Sequence, residues 1–133
     1  MDGWTKLQDQ VVGNQLRISR LEHQWDFDFG GQLRMSIEAS WRLRNNDGIL
    51  LTDSDDGHQF GLSAPVDAET RGNELLNGAE ASSFKFDNTT ADLKIAFTNG
   101  ILIEVLTTSS GYESWQAYVG GELLAVGGNG GLR

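Results

Sequence analysis

A strict alternation of apolar and polar side chains runs through residues 25 to 44 and constrains the fold more than any other feature of the chain. Aromatic residues alternate with aspartates from Trp25 to Phe29, and after Gly30-Gly31-Gln32 a second alternation continues from Leu33 to Arg44. A period of two is typical of a strand with one buried face, so the two runs predict a β-hairpin. A three-residue loop keeps the apolar side chains on one face, whereas a two-residue turn turns them away from it. The predicted cross-strand pairs are Phe29 with Leu33, Phe27 with Met35, Trp25 with Ile37 and Asp28 with Arg34.

Two more hairpins are predicted in the second half of the chain. Alternating strands from Leu93 to Phe97 and from Ile101 to Val105 flank Thr98-Asn99-Gly100, where Gly100 takes the left-handed position of a bulged turn. Gly120-Gly121 suits a two-residue turn between the next pair of strands. The remaining expectations are Lys94 opposite Glu104, a strand through Phe84 and Phe86 beside Leu93–Phe97, and Trp115, Ala117 and Val119 meeting Leu124 and Val126.

Three weaker elements complete the predicted fold. Leu16 to Leu21 and Ile49 to Leu51 predict short strands, and Pro65 opens a helix from about Val66 to Leu76 that Asn77-Gly78 ends. The fold class is therefore α+β and mainly β, with two antiparallel β-meanders that form a curled sheet or a sandwich and one helix, about 66–76, between them. The length of 133 residues is typical of one domain, which we expect to span residues 1–133.

The composition indicates a chain that folds on hydrophobic packing alone. Cysteine is absent, so disulfides and thiolate metal sites are excluded. The first residues lack the basic start and apolar run of a signal peptide, and no stretch approaches the ~20 apolar residues of a membrane span. We therefore expect a cytoplasmic protein with no membrane partner.

Negative charge is concentrated in the middle of the chain. The net charge is -9, and residues 47 to 82 hold eight acids against Arg71 alone. Such a field repels nucleic acid and favours a basic protein partner, although acidity also simply keeps a protein soluble. The predicted partner-binding residues lie on one loop and the helix after it, and they are Asp53, Asp55, Asp56, Asp67, Glu69 and Glu74.

The sequence contains no motif that predicts catalysis. His23 and His58 are the two histidines, and neither lies near a nucleophile motif; Gly61-Leu62-Ser63-Ala64-Pro65 lacks the last glycine of a nucleophile elbow. The acidic loop from Asp53 does not match the register of an EF-hand. Paired carboxylates such as Asp26 and Glu38 share their predicted face with arginines that would hold them ionised. We therefore expect no enzyme, no catalytic residue, no metal site and no cofactor.

The second half of the chain resembles a family of short bacterial proteins that have no assigned function. The resemblance rests on residues 93–105, on Tyr112-Glu113-Ser114-Trp115 and on the glycine-rich segment from Gly127, and an echo of it occurs at residues 33–38. Such families resemble the immunity proteins of bacterial toxin systems. The resemblance implies a small cytosolic protein and carries no catalytic residue over, and the acidic stretch from Asp53 departs from it.

Two functions are compatible with these features. The first is a non-catalytic protein-binding module, of which an immunity protein that neutralises a basic toxin is one form. The alternative is a small-ligand-binding β-domain with an aromatic pocket between Trp25, Trp41 and Trp115, although these tryptophans also suit a core. An exposed edge strand would in addition allow a homodimer.

Overall fold

The structure is a computed structural model that describes residues 3–128 and 131–132, with side chains described for residues 5–128. Two helices and eleven strands are present in these ranges. In chain order they are α1 (Gly3–Val11), β1 (Arg17–Arg20), β2 (Trp25–Asp28), β3 (Leu33–Ile37), β4 (Ser40–Asn45), β5 (Gly48–Thr52), α2 (Ala68–Leu76), β6 (Ala81–Phe86), β7 (Leu93–Phe97), β8 (Leu102–Leu106), β9 (Glu113–Val119), β10 (Glu122–Gly128) and β11 (Gly131–Leu132). A short 3-10 helix, Asp53–Asp55, follows β5.

The strands form two antiparallel sheets that pack into an open sandwich, so the predicted fold class is confirmed. Sheet 1 has the order β1-β2-β3-β9-β10-β11, and sheet 2 has the order β5-β4-β8-β7-β6. Side chains from both sheets form one buried cluster, which includes Phe27 and Trp115 of sheet 1 and Trp41 and Ile95 of sheet 2. Each sheet combines strands from both halves of the chain, because β9 pairs with β3 and β8 pairs with β4.

The predicted hairpin registers are confirmed at the first two turns. Trp25 lies opposite Ile37 and Asp28 opposite Arg34, and the backbone N–H of Phe29 donates to the carbonyl of Leu33 across the three-residue loop. At the second turn Lys94 lies opposite Glu104, and Gly100 has a φ of 88°. Strand β6 pairs with β7 as expected, with Phe84 opposite Ile95 and Phe86 opposite Leu93.

The second alternating run, predicted as one strand from Leu33 to Arg44, is two strands in different sheets. Strand β3 ends at Ile37 in sheet 1 and β4 begins at Ser40 in sheet 2. The backbone N–H of Glu38 still donates to the carbonyl of Ser114 in sheet 1 before the chain crosses over. Because both sheets face one core, odd-numbered residues point inward both before the crossing, as at Ile37, and after it, as at Trp41.

The third hairpin has the predicted two-residue turn but a shifted register. Gly120 and Gly121 both have positive φ, as a type I′ turn requires. A bulge at Leu124 then places Ala117 opposite Ala125 and Trp115 opposite Gly127, so the predicted pairing of these residues with Leu124 and Val126 is wrong.

The two helices cover opposite open sides of the sandwich. Helix α2 begins two residues later than predicted, with Asp67 as its N-cap, and ends at the predicted stop, where Asn77 is left-handed. Gly72 permits its close approach to both sheets, because a Cβ there would lie 3.0 Å from Cδ1 of Ile18 and 3.5 Å from Cδ2 of Leu51. Helix α1, which the sequence analysis did not predict, packs against β6 and β10 and buries Leu7 and Val11.

Neither helix in the described ranges has the length and apolar character needed to cross a membrane.

Candidate functional site

Arg20, the last residue of β1, connects the acidic middle of the chain to sheet 1. Its Nε donates to Oδ2 of Asp56 at 2.8 Å, and its Nη2 donates to Oδ1 of Asp56 at 2.6 Å and to Oδ1 of Asp67 at 2.9 Å. Glu69 accepts a hydrogen bond from the backbone N–H of Arg20 at 2.8 Å. Two carboxylates and one guanidinium thus join β1, the loop after β5 and the start of α2.

These contacts determine the protonation of the groups involved. The hydrogen bonds from Arg20 hold the pKa of Asp56 and of Asp67 below the usual range, and the two carboxylates raise the pKa of Arg20. Asp53 is different: its burial raises its pKa, although its Oδ1 accepts the backbone N–H of Trp41 at 3.2 Å. Residues 47–82 carry a net charge of -7. Counting Arg20, which binds two of their carboxylates, brings the net charge to -6.

Five of the six predicted partner-binding residues line two neighbouring clefts, which meet where Arg20 binds both Asp56 and Asp67. Asp53 and Asp56 line a polar cleft beside Arg20 and Trp25, whereas Asp55, Asp67 and Glu74 line a second groove. Asp55 also caps the 3-10 helix, since its Oδ2 accepts from the backbone N–H of Thr52 at 3.0 Å. Glu69 lies against β1, and Glu74 is exposed on α2 and makes no ion pair with any other described residue.

The second groove combines apolar walls with an acidic border, and we call it the β5–α2 groove. It has a volume of about 480 Å³. Strand β5 contributes one side of it, and the loop after β5 together with α2 contributes the other. The residues that matter for its chemistry are Leu50, Phe60, Leu62, Asp55, Asp67 and Glu74.

Two large apolar side chains of the loop are unusually exposed at this groove. Phe60 is 66% exposed and Leu62 is 55% exposed. Phe60 has a φ of 49°, a backbone conformation that bulky residues rarely adopt, and His58 stacks on its ring at 5.6 Å between centroids. Strain of this kind concentrates at functional positions, so Phe60 marks the loop as a candidate contact surface.

Hydrogen bonds at the base of the loop hold these side chains in place. The backbone N–H of Gly57 donates to the carbonyl of Val66, and that of Val66 donates to the carbonyl of His58, both at 2.8 Å. Closer to the tip, the backbone N–H of Leu62 donates to the carbonyl of Gln59 at 2.8 Å. The loop is therefore closed on itself and presents its apolar tip on a fixed base.

Of the three tryptophans expected around an aromatic pocket, two are buried and Trp25 borders the cleft beside Arg20. Trp41 and Trp115 are buried in the core, and Trp25 packs edge-on against Trp41 with ring centroids 5.0 Å apart. Nε1 of Trp115 donates to the carbonyl of Ala91 at 2.9 Å. Trp41 and Trp115 therefore belong to the hydrophobic core, and Trp25 packs against it.

The carboxylates on the outer face of sheet 1 are arranged as ion pairs. Nη2 of Arg34 lies 3.5 Å from Oδ2 of Asp26 and 3.3 Å from Oδ2 of Asp28. Burial raises the pKa of Asp26, and Arg34 opposes that change. In the ranges that the structure describes, no three His, Asp or Glu side chains are grouped so that they could hold a metal ion.

The apolar part of the groove was missed in the sequence analysis. Phe60 and Leu62 lie in a polar, glycine-containing segment. Their isolation among polar residues is the one sequence feature that indicates an exposed apolar contact. Ile49 is 56% exposed, so the predicted strand at residues 49–51 is not buried along its whole length. Large apolar residues in an otherwise polar loop indicate a contact surface when the structure leaves them uncovered.

Together these features define an open two-sheet α+β domain with an acid-bordered apolar groove beside β5. Comparison of the chain with protein-family models, with curated protein sequences and with solved structures found no match. The resemblance noted for residues 93–131 therefore stays a prediction.

Proposed function

We propose that this protein is a non-catalytic binding module whose partner is a basic polypeptide segment that binds in the β5–α2 groove. The observation that carries the proposal is the combination of exposed Phe60 and Leu62 with Asp55, Asp67 and Glu74 around one groove. Apolar side chains at the centre and charges at the border are the usual arrangement of a protein-binding surface.

The charges around the groove favour a basic partner. Arg71 is the one basic residue that lines it, against three carboxylates, and the surrounding residues 47–82 keep a net charge of -6 when Arg20 is included. A field of this sign accelerates the approach of a cationic segment and opposes nucleic acid. Affinity for the partner should therefore fall as the salt concentration rises.

A narrower form of the proposal is an immunity protein that covers a basic toxin surface. It rests on the acidic groove and on the resemblance of residues 93–131, and it places the protein in the cytoplasm. The absence of cysteine agrees with that location, because folding then needs no oxidising compartment.

Selection from a random peptide library tests the binding function without a known partner. Wild-type protein should enrich peptides that combine arginine or lysine with apolar residues. Synthetic versions should bind the Leu62→Ser variant about tenfold more weakly, since that change removes an apolar contact at the centre of the groove.

Leu123→Ser is the matched control, because Leu123 is 56% exposed and lies on β10, away from the groove. It should bind the selected peptides as the wild type does. The proposal fails if selection enriches nothing over an unrelated acidic protein, or if Leu62→Ser and Leu123→Ser bind the selected peptides equally.

A further inference from the structure

The edge strands of the two sheets differ in how far their outer backbone groups are hydrogen-bonded. At the β1 edge, the side chain of Asn73 accepts from the backbone N–H of Ile18 and donates to its carbonyl, both at 2.8 Å. At the β6 edge, Ala81 exchanges backbone hydrogen bonds with Gly13 and Asn14, both at 2.8 Å. Helix α2 and the segment after α1 thus occupy the pairing groups of these two edges.

In the described part of the chain, no segment hydrogen-bonds along the β5 edge in the same way, although α2 packs against β5. Apart from its pairing with β4, the backbone of β5 donates one further hydrogen bond to a described residue, from the N–H of Thr52 at the end of the strand to Asp55. Residues 48–52 contain no charged residue and no proline, two of the features that usually protect an edge strand from pairing, but a bulge at Leu50 interrupts the ladder with β4. Instead, Asp47 and Asp53 stand at the two ends of the strand.

Side chains on the two faces of β5 offer different surroundings to an added strand. Ile49 lies opposite Arg44 and Thr52 opposite Arg42, so these β5 residues share the outer face of sheet 2 with the arginines. The other face is that of Leu51, which lies opposite buried Leu43, and there the β5–α2 groove opens. One face of an added strand would therefore lie beside exposed Ile49, and its other face would lie beside the acidic side chains of the β5–α2 groove.

We propose that the segment bound by this protein is extended and pairs with the open edge of β5 as a further strand of sheet 2. This inference rests on the proposed function and names the conformation and pattern of the partner. Basic side chains alternate with apolar ones, and the basic side chains point into the groove. There their aliphatic stems cover Leu62, and a guanidinium stacks on Phe60 and reaches Glu74. The apolar side chains cover Ile49.

A second copy of this chain fits the edge poorly. Antiparallel pairing centred on Leu50 would bring Asp47 of each copy towards Asp53 of the other, and each chain carries a net charge of -9. A basic strand meets both aspartates with opposite charge instead. Light scattering should accordingly show a monomer, and a dimer that Ile49→Lys dissociates would overturn the inference.

Three synthetic peptides of about eight residues test the conformation of the bound segment. The first alternates arginine and valine, the second has the same composition in a helical period, and the third replaces arginine with glutamate. The alternating basic peptide should bind wild-type protein roughly tenfold more tightly than either of the others. Ile49→Ser and Leu62→Ser should each weaken its binding, whereas Leu123→Ser should leave it unchanged.

Two N-methylated forms of the first peptide test the backbone pairing itself. In one form the odd amides carry a methyl group, and in the other the even amides do. Successive amides of a strand point to opposite edges, so one form should lose roughly tenfold or more in affinity and the other should lose little.

Equal binding of both methylated forms, or of the helical-period peptide, would overturn strand addition while Leu62-dependent binding still supports the groove as the site. If none of the peptides binds in a Leu62-dependent way, both the inference and the binding function fail.

Discussion

The side-chain amide of Asn73 binds the backbone of Ile18 in the way that a neighbouring strand would. Oδ1 accepts from the N–H of Ile18 and Nδ2 donates to its carbonyl, both at 2.8 Å, and Nδ2 also donates to the carbonyl of Glu69 at 2.9 Å. This contact closes the edge of sheet 1 and fixes α2 between the sheets. Helix α2, held in this position, in turn forms one side of the β5–α2 groove.

Replacing Asn73 with alanine should therefore destabilise the fold by about 2 kcal/mol, because two part-buried backbone groups of Ile18 lose their partner. Urea denaturation measures the change. Glu74→Ala, at an exposed position of the same helix, is the control and should change the free energy of unfolding by less than about 0.5 kcal/mol. Equal effects of the two substitutions would show that Asn73 does not cap the edge.

Gly127 should tolerate no side chain. A Cβ at this position would lie 2.2 Å from Cε2 and Nε1 of Trp115, whose ring is buried in the core. Gly127→Ala should lower the free energy of unfolding by about 3 kcal/mol through overpacking, as measured by urea denaturation. Gly111→Ala is the matched control, since nothing lies within 4 Å of the added methyl group and φ there is not positive. A stability close to wild type for Gly127→Ala would contradict the packing of β10 on Trp115.

Glu104 should make the fold sensitive to acid. Burial favours a higher pKa for this carboxyl, but hydrogen bonds from Nε of Arg44 and Nε of Arg42, each 2.8 Å long, outweigh burial and hold the pKa below 4.5. Because the folded-state pKa is lowered, the stabilisation is complete above pH 4.5 and is lost as the pH falls through the folded value. Glu104→Gln should cost about 2 kcal/mol at neutral pH and progressively less as the pH falls through the folded-state pKa of Glu104.

Asp26 supplies a control of opposite sign for that pH series. Burial raises its pKa above 3.8, so its ionisation opposes folding as the pH rises through the folded value. The stability of the wild type relative to Asp26→Asn should therefore decrease with rising pH in that range. Parallel pH profiles for Glu104→Gln and the wild type would rule out the assigned role of Glu104.

Arg20 should restrain the loop that carries Phe60 and Leu62. It contacts Asp56 with two donors and Asp67 with one, on either side of the loop. Lysine has no planar fork and cannot reproduce the paired contact, so Arg20→Lys should speed hydrogen exchange at the amide of Val66, which closes the loop on His58.

The matched control for Arg20 is Arg17→Lys, which changes an exposed arginine of the same strand that makes no ion pair with another described residue. The difference between the two variants should shrink at high salt, because the contacts of Arg20 are partly exposed. Unchanged exchange at Val66 in Arg20→Lys would mean that the loop is held by its backbone hydrogen bonds alone.

Local pairing could be predicted from the sequence because it depends on nearby residues. The alternation from Trp25 to Phe29, the loop after it and Gly100 were sufficient to place two hairpin registers. The crossing between Ile37 and Ser40 left no trace in the pattern, since the inward parity is the same on both sides of it. The spacing of Leu7 and Val11 is typical of one helix face, but two residues are too few to predict α1.

The candidate site was only partly predictable for a similar reason. The acidic segment is evident from composition, but its division between two clefts depends on where α2 packs. Arg20 lies 36 residues from Asp56 in the chain, so no local pattern identifies it as the partner of that carboxylate. Which sheet edge stays open depends equally on the contacts of Asn73 and Asn14.

The most direct test of the central claim is an amide chemical-shift map of the 15N-labelled protein on addition of the peptide that alternates arginine and valine. The largest shifts should fall on residues 48–52 and 57–66, and amides of β5 should become protected from hydrogen exchange as a new strand pairs with them. Residues of β9 and β10 should not respond. Shifts concentrated in the cleft beside Arg20 and Trp25, or no localised shifts at all, would contradict the groove as the binding site.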